Sequence, residues 1–176
     1  DRCKALSRLA VVVSVAAVAT ATGTILPDLG RPELAWRMIT QPHFTSPLVW
    51  DMGVLMIYLV IGGIDLYLLS RPVVNPSAMW RMAQIALPVA ILVHSVTAWI
   101  FGLMTARPFW NTPLLAPLFI TSALVSGTAL VIVVALIVRR TTPVDFPDET
   151  LGSLARLMLW FIAADAFLLG AEVLTT

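Results

Sequence analysis

Long runs of apolar residues, separated by short stretches rich in proline and charge, dominate the pattern along this chain. Five such runs can be delimited, and each approaches or exceeds the roughly 18 to 20 residues that an α-helix needs to cross a bilayer. In lipid a helix satisfies every backbone polar group within its own segment, so each run predicts a spanning helix. The predicted helices cover residues 6–26, 47–70, 82–106, 113–138 and 152–174.

The composition agrees with this pattern and narrows the class of protein. Of the 176 residues, 59% are hydrophobic and 12% are charged. A soluble domain of this size has too little interior to hide so much continuous apolar sequence. We therefore predict an all-α, integral membrane helical bundle of about five transmembrane helices. Residues 1–176 are expected to form a single transmembrane domain.

Basic residues are distributed unevenly between the two sides of the predicted topology. The side that holds the N-terminus carries eight Lys and Arg residues, and the opposite side carries three. Because cytoplasmic loops carry the excess of basic residues, the N-terminus is predicted to be cytoplasmic and the C-terminus outside. The formal net charge is only +1. With no long basic run, nucleic acid is not expected as a partner, whereas lipid is.

Ionisable residues recur within or beside the apolar runs, where a charged group costs on the order of 3 kcal/mol or more. Those near the predicted outer face are Asp28, Arg31, His43, Asp51, Arg107 and Glu172. His94 and Asp165 lie near the middle of the membrane, and Asp65 lies nearer the inside. The distribution predicts a polar pocket at the outer face, with a broken polar trail leading inward.

The outer connection between the first two predicted helices is rich in groups that can hold a polar headgroup. A quinone needs hydrogen-bond donors or proton acceptors at its carbonyl oxygens and an apolar slot for its tail. Asp28 or His43 is a candidate to take a proton from a quinol, with Arg31 stabilising the charged carboxylate. The alternative is a turn in which Asp28 caps the backbone, Gly30 supplies an unusual backbone angle and Arg31 contacts Asp28 or a lipid phosphate.

The deeper residues also allow two interpretations each. His94 either transfers protons or contacts a ligand, or it bonds structurally to a neighbouring helix. Asp165 is either a proton relay or one partner of an interhelical hydrogen bond. Asp65 is predicted to pair with Arg71 near the inner surface. No metal or haem is expected, because the two histidines lie at different predicted depths and Cys3 is the only cysteine.

Five motifs occur in order along the chain: Asp28 to Pro32, Ser46 to Asp51, His94 to Trp99, Arg107 to Trp110 and Pro117 to Gly127. Taken together, they resemble the motifs of the NrfD/PsrC family of quinone-interacting membrane subunits. The resemblance implies a subunit that exchanges electrons between a quinone, menaquinone or ubiquinone, and a ferredoxin-like iron–sulfur subunit. It further implies a molybdopterin-type subunit or a cytochrome c, and other membrane subunits, as partners.

The resemblance also assigns roles to residues of this chain. Asp28 and Arg31 correspond to the acid and base beside the quinone pocket, and His94 lines the same bundle, so that Asp28 and His94 are the catalytic candidates. The predicted quinone-binding residues are Asp28, Arg31, His43, Asp51 and Arg107. The predicted proton relay is His94, Asp165 and Glu172. Family members have more spans than the five predicted here, so we expect a fragment or a split subunit that forms part of a larger NrfD-like bundle.

The leading hypothesis is a membrane subunit of a quinone-linked oxidoreductase complex in a prokaryotic inner membrane, within a respiratory chain and not catalytic alone. Proton translocation would accompany turnover. Two other classes use the same residues: a non-catalytic membrane anchor of a redox complex, and half of an ion or solute transporter whose buried acids act as coupling sites. The lack of paired inverted repeats counts against the transporter.

Overall fold

Residues 2–28, 30–71, 75–107, 110–144 and 146–175 are described by a computed structural model. Within these ranges the chain is helical, and five helices are long and apolar enough to cross a membrane. This confirms the predicted all-α class and the five predicted spans. The elements are α1 (Arg2–Asp28), a 3-10 turn (Pro32–Leu34), α2 (Arg37–Thr40), α3 (Pro47–Ser70), α4 (Pro76–Gly102), α5 (Leu115–Thr141) and α6 (Asp148–Thr175).

The bounds of α4 differ most from the prediction of 82–106. The helix begins at Pro76, since proline is well suited to the first helical position, where its missing N–H is not needed. The side chain of Asn75 accepts a hydrogen bond from the backbone N–H of Ser77 at 3.0 Å, which caps this end. At the other end, the Asn111 side-chain amide donates to the carbonyl of Gly102 at 2.8 Å. Polar capping thus sets both ends.

The chain divides into two compact units. The first, here called the discontinuous unit, comprises Asp1–Val11 and Phe101–Thr176. The second, here called the continuous unit, comprises Val12–Ile100. The first turns of α1 therefore belong to one unit and the rest of the helix to the other. That residues 1–176 form one transmembrane domain stays a prediction.

In the continuous unit, α1 packs closely against α3. The hydroxyl groups of Ser14 and Tyr58 lie 2.7 Å apart and join the two helices by a hydrogen bond. One turn further along α3, a Cβ placed on Gly62 would lie 2.5 Å from Cγ2 of Val15. Carbon atoms in good contact are about 3.5–4.0 Å apart, so only glycine permits this approach. The absence of a side chain on Gly62 therefore allows the close spacing of α1 and α3.

In the discontinuous unit, α5 and α6 form an antiparallel hairpin. Phe146, in the connection between them, is 1% exposed and packs with Ala135 of α5 and Leu151 of α6. The first turns of α1 cover this cluster, and Arg139 forms an ion pair with Asp148 at the same end. The partly buried apolar residues packed against the cluster are Ala5, Leu6, Leu9 and Val138. The core of this unit therefore sits where the hairpin turns.

Large apolar side chains remain exposed along the spanning helices. Trp160 is 76% exposed and Phe167 is 74% exposed, both on α6. Exposed apolar surface on this scale is stable against lipid tails or other membrane subunits, and unfavourable against water. The helices therefore have the surface of a multi-pass membrane protein.

Candidate functional site

The predicted quinone-binding loop follows the end of α1 in the continuous unit. Asp28 is the last residue of that helix, while its side chain and Leu29 lie outside the described residues. Gly30 has a φ of +67°, the left-handed conformation that glycine adopts readily. This is the unusual backbone angle that the turn interpretation expects. Arg31 and His43 are both exposed.

The second half of this connection is fastened to the start of α3. The indole N–H of Trp50 donates to the carbonyl of Phe44 at 2.8 Å, and the two rings lie 6.4 Å apart at their centroids. The backbone N–H of Ser46 donates to the carbonyl of His43 at 2.8 Å. These contacts fasten His43 next to the first turn of α3, and Asp51 lies in the turn that follows.

Asp51 is a buried carboxylate in the first turns of α3. It is 6% exposed, and its Oδ1 lies 2.8 Å from the hydroxyl oxygen of Thr97 on α4. A buried carboxylate needs such a partner, because an unpaired polar group away from water is strongly unfavourable. The contact joins α3 to α4 and holds the carboxylate in the second turn of α3, a few residues after the polar connection ends.

His94 lies one turn before Thr97 on α4. Its Nδ1 is 2.9 Å from the carbonyl oxygen of Ala90 in the same helix. In the neutral ring Nδ1 therefore carries the hydrogen, and Nε2 is left as an acceptor. The structural interpretation expects His94 to bond to a neighbouring helix. The hydrogen bond described for His94 instead stays within α4.

Asp65, near the other end of α3, has surroundings that the sequence did not indicate. It is 8% exposed, and its Oδ1 has no hydrogen-bond partner among the described residues. Arg71, its predicted partner, instead donates to the hydroxyl of Tyr67 and lies 4.6 Å from the centroid of that ring. The predicted pair is therefore replaced by a contact one turn apart on the helix surface.

Arg107 belongs to the discontinuous unit, unlike the other predicted quinone ligands. It is exposed, and its guanidinium lies 4.5 Å from the ring centroid of Trp110. The same indole packs edge-on against Phe101 at 5.1 Å, and Phe101 contacts Phe119 of α5 at 5.8 Å. A cation over an aromatic face is a favourable contact. Arg107 is therefore held against Trp110 in the connection between α4 and α5.

The two acidic residues of the predicted relay on α6 contact hydroxyl groups of α5 and of the connection that precedes it. Oδ1 of Asp165 lies 2.7 Å from the hydroxyl oxygen of Thr121. Seven residues later, Oε2 of Glu172 accepts from the Thr112 hydroxyl at 3.1 Å, and Glu172 is 4% exposed. A spacing of seven residues repeats one helix face after two turns. One face of α6 therefore carries two hydroxyl–carboxylate contacts, two helical turns apart.

The structure thus groups the predicted residues into two sets. Arg31, His43, Asp51 and His94 lie in the continuous unit, together with the backbone of Asp28; Arg107, Asp165 and Glu172 lie in the discontinuous unit. Sequence reasoning missed the hydroxyl partners Thr97, Thr121 and Thr112. Within the described ranges, no group of three or more His, Cys, Asp or Glu side chains is arranged to hold a metal ion.

Comparison with known proteins gives a consistent assignment. The profile of the family described as "Polysulphide reductase, NrfD" matches residues 2–175. A putative membrane subunit of the dimethyl sulfoxide reductase of Halobacterium salinarum is 38% identical over 98% of this chain and 44% of its own length. No solved structure matches the chain significantly.

Two further relatives are more distant. A subunit of the selenate reductase of Mesobacillus selenatarsenatis is 26% identical over 85% of this chain and 43% of its own length. The integral membrane subunit of an Hdr-like menaquinol oxidoreductase of Archaeoglobus fulgidus is 26% identical over 96% of this chain and 42% of its own length. The chain spans less than half the length of these relatives. Since the family profile covers nearly all of its residues, the chain belongs to the NrfD polysulphide reductase family.

Proposed function

We propose that this chain is a membrane subunit of a quinone-linked oxidoreductase complex in a prokaryotic inner membrane. It binds a quinol or quinone, menaquinone or ubiquinone, near the outer face, with the N-terminus cytoplasmic and the C-terminus outside. The electrons pass to or from an iron–sulfur partner subunit. The relatives support this proposal, since one is an integral membrane subunit of a menaquinol oxidoreductase.

The observation that carries the proposal is the burial of Asp51 near the start of α3, just after the polar connection ends. Quinol oxidation releases two protons and two electrons, so the headgroup needs a proton acceptor at its hydroxyl group. Asp51, 6% exposed and bonded to Thr97, is a fixed acceptor of this kind. Arg31 and His43, exposed on the same connection, supply a donor and a second proton acceptor for the headgroup.

Asp28 and His94 are proposed as the catalytic groups; that Arg107 also contacts the quinone stays a prediction from the sequence. His94 leaves Nε2 as an acceptor, because its Nδ1 is engaged with Ala90. A proton released at the headgroup then has an acceptor in His94 of the same unit; that Asp165 and Glu172 complete the relay stays a prediction from the sequence. In this proposal proton movement accompanies turnover, and a molybdopterin-type subunit or a cytochrome c completes the electron path.

The test compares carboxylate variants in the complete, purified complex. Asp28→Asn and Asp51→Asn are expected to reduce the rate of quinol oxidation at least tenfold, because each removes a proton acceptor that contributes about 10²–10⁴-fold in rate. Glu33→Gln is the matched control, since Glu33 is acidic and exposed in the same connection. Copurification of the redox partners checks that each variant assembles.

Unchanged quinol oxidation in both variants, with assembly intact, would contradict the proposed function and favour a non-catalytic anchor. Ion-dependent uptake into vesicles, with no redox partner copurifying, would instead identify a transporter. Loss of turnover together with loss of the redox partners would show that the carboxylates serve assembly, which also contradicts the proposed role.

A further inference from the structure

Thr97 makes more oxygen contacts than its single hydroxyl hydrogen can serve. Its Oγ1 lies 2.8 Å from Oδ1 of Asp51 and 3.0 Å from the carbonyl oxygen of Val93 one turn earlier in α4. A threonine hydroxyl has one hydrogen to donate and two lone pairs with which to accept. When the carboxylate of Asp51 is charged, it takes that hydrogen in a charge-assisted bond. No hydrogen then lies between Oγ1 of Thr97 and the carbonyl oxygen of Val93, so this contact is not a hydrogen bond.

A second proton completes this arrangement without moving any heavy atom. When Asp51 is protonated, its carboxyl O–H donates to Oγ1 of Thr97, and the threonine hydroxyl turns to donate to the carbonyl of Val93. Both oxygen contacts then contain a hydrogen. In helices, serine and threonine hydroxyls commonly donate a hydrogen bond to the backbone carbonyl four residues earlier. The site therefore fits the charged and the neutral carboxyl group with the same geometry.

The same arrangement recurs independently in the discontinuous unit. Oγ1 of Thr121 lies 2.7 Å from Oδ1 of Asp165, and 3.1 Å from the carbonyl oxygens of both Pro117 and Leu118. One hydroxyl hydrogen again faces a carboxylate and backbone carbonyl oxygens. Protonation of Asp165 supplies the second hydrogen and releases the hydroxyl to donate to its own helix.

A third contact shows the opposite case. Thr112 already accepts a hydrogen bond at Oγ1 from the backbone N–H of Leu114 at 3.2 Å. Its hydroxyl hydrogen therefore points to Oε2 of Glu172 at 3.1 Å, and among the contacts described no backbone carbonyl oxygen competes for it. The hydroxyl of Thr112 can therefore donate only to Glu172, whereas the hydroxyls of Thr97 and Thr121 can donate either to a carboxylate or to a backbone carbonyl.

We propose that Thr97 and Thr121 are positioning residues that allow Asp51 and Asp165 each to take up and release a proton by rotation of a hydroxyl group. The chemical species bound is the hydrogen ion alone: carboxylate plus proton gives carboxylic acid. The source of these protons, quinol oxidation, rests on the proposed function. The titratable groups on the adjoining faces are His94, one turn before Thr97, and Glu172, two turns after Asp165.

The experiment is acid-induced infrared difference spectroscopy of the purified complex in the carbonyl-stretch region of protonated carboxyl groups. In the wild type we expect a band that shifts in D₂O and is absent in Asp165→Asn. Thr121→Val should move this band to higher frequency, because the carboxylic acid loses its hydrogen-bond acceptor. Thr121→Ser should restore the original position. Thr128→Val is the matched control, since Thr128 donates to its own helix at 2.6 Å and contacts no carboxylate among the described residues.

A band of Asp165 that is identical in Thr121→Val and the wild type would overturn the proposal, as would a difference spectrum unchanged by Asp165→Asn. If Thr121→Val does not accumulate, Thr97→Val and Asp51→Asn test the same arrangement in α3 and α4, with Ser95→Ala as control. Quinol oxidation by the same wild-type sample decides the proposed function separately. A normal rate without the band contradicts only the hydroxyl inference, and the band without quinol oxidation contradicts only the proposed function.

Discussion

Replacing Gly62 by alanine tests whether a missing side chain sets the distance between α1 and α3. The new Cβ would lie 2.5 Å from Cγ2 of Val15, about 1 Å closer than carbon atoms in good contact. Overpacking of this kind costs about 1–3 kcal/mol. Against it stands the better helix propensity of alanine, worth about 1 kcal/mol relative to glycine.

Gly63 provides a matched control one residue along the same helix, because nothing lies within 4 Å of a Cβ placed there. Gly63→Ala gains the same helix propensity without the clash, so the difference between the two variants isolates the close contact. At about 2–4 °C per kcal/mol for a chain of this size, a clash of about 1–3 kcal/mol separates the unfolding midpoints by about 2–12 °C. Thermal unfolding in mild detergent, followed by circular dichroism, measures this separation.

Val15→Ala supplies the second half of the test. In the Gly62→Ala background it removes Cγ2, so the double variant is expected to recover most of the lost stability, which a double-mutant cycle reports as a coupling energy. Equal midpoints for Gly62→Ala and Gly63→Ala, or no recovery with Val15→Ala, would refute the close packing of these two helices.

Three further predictions concern stability. Phe146→Ala should lower the free energy of unfolding by about 3–5 kcal/mol, because Phe146 is 1% exposed in the core. Phe167→Ala is the control and should leave the unfolding midpoint nearly unchanged, because Phe167 is 74% exposed. Similar losses of stability for both variants would contradict the assigned core. Gly30→Ala should lower the free energy of unfolding by about 1–2 kcal/mol, and Gly30→Asn should lower it less, since asparagine tolerates the left-handed conformation better than alanine. Equal unfolding midpoints for the two variants would contradict the positive φ of Gly30. Asp148→Asn should leave the unfolding midpoint nearly unchanged, because the side chains of Arg139 and Asp148 are 37% and 83% exposed and an exposed ion pair contributes little to stability. A clear loss of stability at low salt that persists at high salt would contradict a weak surface pair.

The spans were predictable because the length and apolar character of each run are sufficient to identify a helix that crosses a bilayer. The start of α4 was not predictable in this way, because the residues from Pro76 to Arg81 are too polar to extend an apolar run. Helix ends outside the membrane are set by capping, and the bond from Ser77 to Asn75 is a local signal that hydropathy does not contain.

The partners of the buried carboxylates were not predictable for a different reason. A helix that is apolar on all sides has no pattern that shows which face meets a neighbour. The choice of Thr97 for Asp51 and of Thr121 for Asp165 depends on the register between two helices. The sequence did indicate that Asp165 needs a partner, and an interhelical hydrogen bond was one of the two expectations. Whether Asp165 also relays protons stays a prediction.

The two hydroxyl–carboxylate contacts of α6 have a consequence for how the protein enters the membrane. Taken alone, α6 would expose Asp165 to lipid near its middle, which opposes insertion by about 2.5–3.5 kcal/mol on scales measured with the translocon. With α5 already present, the hydroxyls of Thr121 and Thr112 meet Asp165 and Glu172. The two helices are therefore expected to leave the translocon as a pair, so that biogenesis of the last span depends on the one before it.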